Sequence, residues 1–266
     1  MPSSAGLVSD PVRLLHLLWS PTARSSRSGL SLSAIVAAAT RVAAQEGVNA
    51  LTMRRVAAVL DAAPMSLYTH VPGKAELLEL MLDTHAAQIY DDGDVPASRP
   101  TWRAAGHFVA VRNFEAALAQ PWTLDVPAGR PVPGPGITGK YELELAALEG
   151  IGLSDVEMDH ALTGLLGLAH AAARAQVGLD RARGVSGRSD AEWWKQVGPA
   201  LAAAMQGRQF PLAGRVGTAA SLASDASADP RASLNYSVGL LLDGLEASRS
   251  VGSVETHRHR SARPAG

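Results

Sequence analysis

Residues 51 to 82 constrain the fold more than any other part of the chain, because they encode two short helices and a tight turn. Thr52 is a favoured N-cap residue, and apolar residues recur after it at helical spacing. Pro64 suits the first position of a second helix, which ends before Pro72 because proline disfavours helical geometry in the preceding residue. We therefore predict a helix-turn-helix, whose second helix enters the DNA major groove.

The stretch from about Leu32 to about Tyr90 resembles the DNA-binding domain of the tetracycline-repressor (TetR) family of bacterial regulators. Its most specific parts are the segments LTMRRVA, SLYTHV and Gly73-Lys74 followed by AELLELML. The chain departs from the family at Asp61, where the family usually has glycine in a left-handed conformation. Asp is one of the few other residues that tolerate this conformation, so the turn is expected to survive.

The resemblance implies which side chains meet DNA. The position of Arg54 reaches a base in the family, its neighbours touch phosphate, and Leu67 is expected to anchor the recognition helix. Lys74 combines a positive charge with the exposed N–H groups of a helix start, which independently attract a phosphate. The other expected contacts are Thr52, Arg55, Pro64, Met65, Ser66, Tyr68 and His70.

Residues 1 to 30 are rich in Ser, Pro and Arg, and we predict a flexible basic arm. Arg24 and Arg27 lie just ahead of the first helix, where the basic arms of other helix-turn-helix proteins reach the minor groove. Either these two residues do the same, or the arm is only a tail.

Charge is divided unevenly along the chain. Between Pro11 and Ala75 there are seven basic residues and two acidic ones, a net charge of +5, which leaves −6 for the rest of a chain of net charge −1. A basic N-terminal part on an acidic body is expected if one end meets phosphates. The chain has no Cys, which excludes disulfides and thiolate metal sites. No apolar run in the helical patterns is long enough to span a bilayer, so we expect a cytoplasmic protein without membrane contacts.

The 266 residues, 47% of them hydrophobic, allow a small DNA-binding unit and one larger core. Helical periodicity continues after the helix-turn-helix and no period-two alternation occurs, so the predicted fold is all-α. We predict an N-terminal three-helix domain over 31–94 and a larger helical bundle for ligand binding and dimerisation over 95–250. Gly178 to Asp190 and Gly207 to Pro230 are interpreted as exposed connections, and 251–266 as a disordered tail.

Two patterns imitate enzyme motifs without their context. Residues 134 to 140, GPGITGK, match phosphate-loop spacings, but no strand precedes them and no Ser or Thr follows Lys140, so a loop leading into a helix is predicted. His257 and His259 lie in the C-terminal tail and are interpreted as solvated. We expect neither enzymatic activity, nor a cofactor, nor a metal site.

The C-terminal part also resembles the effector domain of the tetracycline repressor, more loosely. The loop Leu124 to Arg130 lacks the metal-ligating His of that repressor, which argues against magnesium-tetracycline as the ligand. A polar stripe at three-four spacing runs along the helix from Asp155 to Gln176, and it either lines a pocket or faces solvent or a partner subunit. The candidate effector-binding residues are Trp102, His107, Trp122, Tyr141, His160, Thr163, His170 and Arg174.

The last helix carries a clean apolar stripe from Leu234 to Leu245, which either completes the domain's own core or forms a subunit interface. The family pairs this helix with the Asp155 helix across a two-fold axis, so we expect a homodimer through residues near 155–176 and 231–248. The predicted function is a repressor that binds a palindromic double-stranded operator and is released by an unknown small-molecule effector. The alternative is a dimeric DNA-binding regulator whose second domain serves only dimerisation or protein contacts.

Overall fold

The computed structural model describes residues 10–20, 30–127, 132–224 and 228–260, apart from the side chains of 224 and 249–260. These residues form eleven α-helices and no β-strand, which confirms the all-α prediction. The helices are α1 (Pro11–Trp19), α2 (Leu32–Glu46), α3 (Met53–Val59), α4 (Pro64–Tyr68), α5 (Lys74–Gln88), α6 (Trp102–Ala119), α7 (Pro135–Leu145), α8 (Asp155–Ser186), α9 (Asp190–Met205), α10 (Pro211–Ser224) and α11 (Pro230–Arg260). None of these helices, within the described residues, is long and apolar enough to cross a membrane.

The N-terminal unit consists of α1 to α5, and α3 and α4 form its helix-turn-helix. The hydroxyl of Thr52 accepts the backbone N–H of Arg55 at 3.1 Å and so begins α3. Asp61 has a φ of 49°, in the left-handed region, which confirms that Asp takes the place of glycine in the turn. Pro64 opens α4, and Leu67 is fully buried and fixes this helix on the core.

Helix α1 corrects the prediction of a flexible arm for residues 10–20; residues 1–9 and 21–29 lie outside the described residues. Asp10 caps the helix by accepting two backbone N–H groups of its first turn, at 3.1 and 3.0 Å. Leu14 and Leu18, one turn apart, are 0% and 4% exposed in the core of the N-terminal unit. The sequence shows this apolar patch but not its partners, because the same core includes Trp122, about a hundred residues later in the chain.

The second domain is built on α6, α8 and α11, which pack against one another. Glycines permit the close approach: a Cβ atom on Gly106 would lie 3.0 Å from Leu242, and one on Gly164 would lie 3.0 Å from Leu241. Leu234 and Leu242 are almost fully buried in this core. Of the two interpretations of the apolar stripe on the last helix, the structure therefore supports completion of the domain's own core.

The C-terminal third contains more helix than the sequence predicts. Gly178 to Asp190, interpreted as a connection, is helical up to Ser186 in α8, and α10 occupies most of Gly207 to Pro230. None of the described side chains of α9 and α10 is buried. The predicted disordered tail, 251–266, is corrected in part, because α11 extends to Arg260. Residues 261–266 lie outside the described residues.

Candidate DNA-recognition surface and interdomain cleft

The recognition helix α4 presents three of its predicted contacts to solvent. Met65 is 74% exposed and Tyr68 is 42% exposed, and Pro64 is exposed beside them. Ser66 is half-buried, and its hydroxyl donates to the backbone oxygen of Ala63 at 2.6 Å. The outer face of α4 is therefore a mixed apolar and phenolic surface, whereas the hydroxyl of Ser66 already has a partner in the residue that precedes the helix.

His70 does not belong to this surface, which corrects its prediction as a DNA contact. The turn after α4 is closed by the N–H groups of His70 and Val71, both of which donate to the backbone oxygen of Leu67 at 2.9 Å. This turn places His70 in the interior, where it is 9% exposed, and Val71 is fully buried. Helical periodicity in the sequence does not show that α4 ends before His70, nor that the turn after the helix directs this side chain inward.

The two arginines at the start of α3 are arranged differently. Arg54 is exposed and has no ion pair among the described residues. Arg55 forms a bidentate pair with Glu46, at 2.7 to 3.1 Å, which raises the pKa of Arg55 and lowers the pKa of Glu46. Because both partners of this pair are exposed, water screens it and its contribution to stability is small. A phosphate has to compete with Glu46 for Arg55 but not for Arg54.

Lys74 stands at the first position of α5, as predicted. Its ammonium group donates to the backbone oxygen of Val48 at 3.0 Å, and the residue is half-buried. An ammonium group has three donors, so two remain for other acceptors. Gly73 caps α5 without a side chain, which leaves the first N–H groups of the helix without a side-chain partner there. Arg24 and Arg27 lie outside the described residues.

A buried polar cluster that the sequence analysis missed joins α5, α6 and α7. The carboxylate of Glu144 is 1% exposed and accepts from Tyr90 at 2.9 Å, from Asn113 at 2.6 Å and from Lys140 at 2.6 Å. Burial raises the pKa of Tyr90 well above its usual range, and the neighbouring carboxylate raises it further. The sequence offers no clear signal for this cluster, since a Glu within YELEL looks like an ordinary solvated residue.

Two histidines lie near this cluster. His85 on α5 contacts Trp122 edge to face, with 6.2 Å between ring centroids. Burial lowers the pKa of His85, and the charges of Lys140 and His170 lower it further. His170 lies on the solvent side of α8, but the surrounding helices partly desolvate its ring, and this desolvation and the charge of Lys140 lower its pKa. The charge of Lys140, in the middle of α7, therefore acts on both His85 and His170.

An open cleft of about 1630 Å³ lies between the N-terminal unit and α7, beside the contact of α7 with α5. Its walls come from α1, α2 and α5 on one side and from α7 on the other. It is lined by residues that include His16, Asp83, His85, Tyr90, Trp122 and Lys140. Any molecule that fills this space touches both the helix-turn-helix unit and the second domain.

The predicted effector residues are not assembled into one pocket, which corrects that prediction. Trp122 is the one of the eight that lines the cleft. On α8, the predicted stripe of His160, Thr163, His170 and Arg174 is exposed, because the opposite face of the helix, with Leu162, Leu165 and Ala169, packs into the core.

The remaining three predicted residues lie elsewhere. Tyr141 is exposed and donates to Asp159 at 2.9 Å, and this hydrogen bond raises the pKa of Tyr141. Trp102 and His107 are half-buried on α6, where Trp102 packs against the core of the second domain. Among the described residues, no group of three or more His, Cys, Asp or Glu side chains is arranged to hold a metal ion.

Comparison with known proteins agrees with this architecture. Residues 35–81 match the family described as "Bacterial regulatory proteins, tetR family", and residues 95–249 match "Tetracyclin repressor-like, C-terminal domain". The HTH-type transcriptional repressor DrrR1 of Streptomyces coeruleorubidus is 35% identical over 240 residues, which are 89% of this chain and 86% of that protein.

Solved structures show the same fold. The transcriptional regulator SCO7222 from Streptomyces coelicolor is 25% identical, with a TM-score of 0.59 over 82% of this chain and 98% of that one. ActR from Streptomyces coelicolor, in complex with (S)-DNPA, is 23% identical, with a TM-score of 0.60 over 82% and 98% of the two chains. Since the sequence matches cover both domains, the chain belongs to the TetR family of bacterial regulatory proteins.

Proposed function

We propose that the protein is a homodimeric repressor that binds a palindromic operator and releases it when a small molecule occupies the interdomain cleft. The observation that carries this proposal is the position of the cleft, with the helix-turn-helix unit on one side and α7 on the other. A ligand shifts an equilibrium only by its differential affinity for two forms. A molecule seated between two bodies has such a differential affinity whenever the bodies move relative to each other.

The operator surface consists of the outer face of α4 and the starts of α3 and α5. Arg54 contacts a base edge or a nearby phosphate, and Thr52 and Tyr68 contact phosphate. Lys74 adds charge at the N-terminus of α5, where the helix dipole also attracts a phosphate. The repressor DrrR1, to which the chain is similar over most of its length, supports repression as the outcome of binding.

The dimer forms through the outward faces of α8 and α11. These helices pack against each other inside one subunit and leave small or apolar residues exposed, including Gly167 on α8 and Leu240 and Tyr236 on α11. Small residues allow the helices of two subunits to approach closely, and a two-fold protein fits a palindrome. This use of the exposed α8 stripe explains why it is not part of a pocket.

The effector is a largely apolar molecule with few polar groups. The exposed surface of the cleft is mostly apolar, with Leu17, Val36, Met81 and Trp122 among its lining residues, and Tyr90 and Lys140 are among the polar groups that line it. ActR, which shares the fold, has been solved in complex with (S)-DNPA, so a protein of this fold holds a bound ligand. The alternative, a second domain that serves only dimerisation, is favoured by the outward-facing stripe on α8.

A blocked cleft distinguishes the two functions. An operator duplex is first selected from a random-sequence pool by the wild-type protein, and compounds that release it are found by fluorescence anisotropy. Gly139 lines the cleft, and nothing lies within 4 Å of where its Cβ would be, so Gly139→Trp places an indole in the cleft and narrows it beside α7. Gly214→Trp on the exposed α10 is the matched control. We expect Gly139→Trp to bind the duplex normally and to resist release. If no compound releases the wild-type protein, or if Gly139→Trp responds like the control, the cleft is not the effector site.

A further inference from the structure

The loop that leads into α7 is attached to the N-terminal unit. The indole Nε1 of Trp19 on α1 donates to the backbone oxygen of Pro133 at 3.0 Å. One residue earlier, Val132 is buried in the core of the N-terminal unit together with Leu80 and Met81 of α5. The chain just before α7 therefore packs as part of the N-terminal unit, although in sequence it belongs to the second domain.

The first turn of α7 is held by a side chain from another helix. Asp83 on α5 is 7% exposed, and its Oδ1 accepts the backbone N–H of Ile137 at 2.8 Å. The first N–H groups of a helix have no partner within the helix and are usually satisfied by the residue before it. That residue is Gly134, which has no side chain to offer. Asp83 supplies the missing acceptor, and its negative charge suits the positive end of the helix dipole.

Two glycines make this contact possible. A Cβ atom on Gly136 would overlap the backbone oxygen of Asp83, and one on Gly134 would overlap its carboxylate. The backbone at Gly134 has an ordinary φ of −87°, so what requires glycine there is the close approach and not the conformation. The segment Gly134-Pro135-Gly136, which imitates a phosphate loop in the sequence, thus allows α7 to touch α5. Gly139, one turn further along α7, has room for a Cβ, since nothing lies within 4 Å of that position.

The other end of α7 takes part in the buried polar cluster. Glu144 accepts from Tyr90, just beyond the end of α5, and from Lys140 on its own helix. Helix α7 is therefore joined to the α5 region at both ends, by Asp83 near residue 137 and by Tyr90 near residue 144. The cleft lies along the same pair of helices.

We propose that Asp83 and the Gly134-Pro135-Gly136 segment form a latch through which the state of α7 is coupled to the DNA-binding unit. Asp83 acts as a positioning residue in this latch, because it holds α7 through its hydrogen bond to the backbone of Ile137, at the edge of the cleft that it also lines. The contacts of Asp83 establish the geometry of the latch, and the effect of the latch on DNA binding rests on the proposed function. Coupling between two sites is reciprocal, so operator binding must also change the stability of α7.

Hydrogen exchange of the α7 amides, residues 138–145, tests the latch in two arms. Without DNA, these amides should exchange at least about fivefold faster in Gly136→Ala and Asp83→Ala than in the wild-type protein. In Asp83→Asn the exchange rate should stay close to the wild-type rate, because the amide oxygen of Asn still accepts the hydrogen bond. Gly139→Ala is the matched control. With an operator duplex selected by the wild-type protein, wild type and Gly139→Ala should show a change in exchange of about 5- to 150-fold, the usual range of allosteric coupling. The same change should be lost in Gly136→Ala and Asp83→Ala, which should retain affinity for the duplex.

The outcomes separate the latch from the proposed function. Unaltered exchange in both Gly136→Ala and Asp83→Ala without DNA overturns the latch, whatever happens with DNA. A wild-type protein that selects no duplex removes the proposed function, while the first arm still decides the latch. A wild-type protein that binds its duplex without any change in α7 overturns the coupling. Circular dichroism identifies a variant that fails to fold. If Gly136→Ala fails to fold, the exchange rates of Asp83→Ala decide the test.

Discussion

Leu14→Ala tests most directly whether α1 is docked on the N-terminal unit. The side chain is 0% exposed and lies in the core that also contains Leu18. The truncation removes three buried carbon groups at about 0.8 kcal/mol each, which is about 2.4 kcal/mol of transfer free energy. The cavity that remains adds to this value, and buried Leu→Ala substitutions cost about 2.7 to 5.0 kcal/mol in a well-studied case.

The docking strength of α1 sets an upper limit on this cost. A helix of nine residues is marginal in water by itself, so α1 depends on its contacts with the core. If the substitution costs more than docking stabilises, α1 detaches and the loss stops at the docking free energy. We therefore expect the free energy of unfolding to fall by about 2 to 4 kcal/mol, with loss of amide protection over residues 10–20.

The measurement is urea unfolding followed by far-ultraviolet circular dichroism at one fixed protein concentration. Val12→Ala is the matched control, because Val12 lies on the same helix and is 61% exposed. An exposed substitution of this kind changes stability by about 0.5 kcal/mol or less. A Leu14→Ala variant that is as stable as Val12→Ala would refute the docking of α1 and restore the interpretation of residues 1–30 as a flexible arm.

Three further expectations follow from single sites. Arg54→Ala should weaken operator binding by about 1 to 3 kcal/mol and relax sequence preference. Lys74→Ala should weaken binding to all duplexes and reduce the slope of log affinity against log salt concentration by about one. If both variants bind as tightly as the wild-type protein across a salt series, the two residues lie outside the interface. Leu240→Asp should raise the dimer dissociation constant at least about tenfold in sedimentation equilibrium, whereas Val12→Asp should not. If Leu240→Asp leaves the dimer unchanged, this face of α11 is not part of the dimer interface. Burial lowers the pKa of His85 below its ordinary 6.5, so below that pH the unfolded chain binds a proton at His85 more readily than the folded protein does. The free energy of unfolding should therefore fall as pH drops below about 6.5, by at most about 1.4 kcal/mol per pH unit. In urea titrations at several pH values, His85→Gln should reduce this dependence of stability on pH.

The helix-turn-helix could be predicted from the sequence because its determinants are local. Thr52 begins α3 with its own hydroxyl, Pro64 begins α4, and Asp61 tolerates the left-handed turn between them. Each of these effects acts within a few residues of its cause. The same is true of the GPGITGK segment, where proline and glycine predict a loop and then a helix, which the structure contains from Pro135 onward.

The features that the sequence did not predict depend on contacts between distant residues. The fate of α1 depends on a core that includes Trp122, and the burial of Glu144 depends on Tyr90 and Asn113 from two other parts of the chain. Periodicity correctly grouped His160 to Arg174 on one face of α8, but it does not say what that face meets. The requirement for glycine at position 136 is likewise invisible, since it comes from a backbone oxygen more than fifty residues earlier.

The polar cluster around Glu144 is an expensive way to hold a helical bundle together. Removing a carboxylate and an ammonium group from water costs several kcal/mol per ion, and pairing in the interior often does no better than apolar side chains of similar volume. Dimerisation alone does not require such a cluster. A hydrogen-bonded network, however, has a small number of discrete arrangements, and packed interiors change between discrete states more readily than they deform continuously. Because α7 carries this cluster at one end and the contact with Asp83 at the other, a rearrangement of Glu144 and Lys140 acts on the helix that is fixed to the DNA-binding unit.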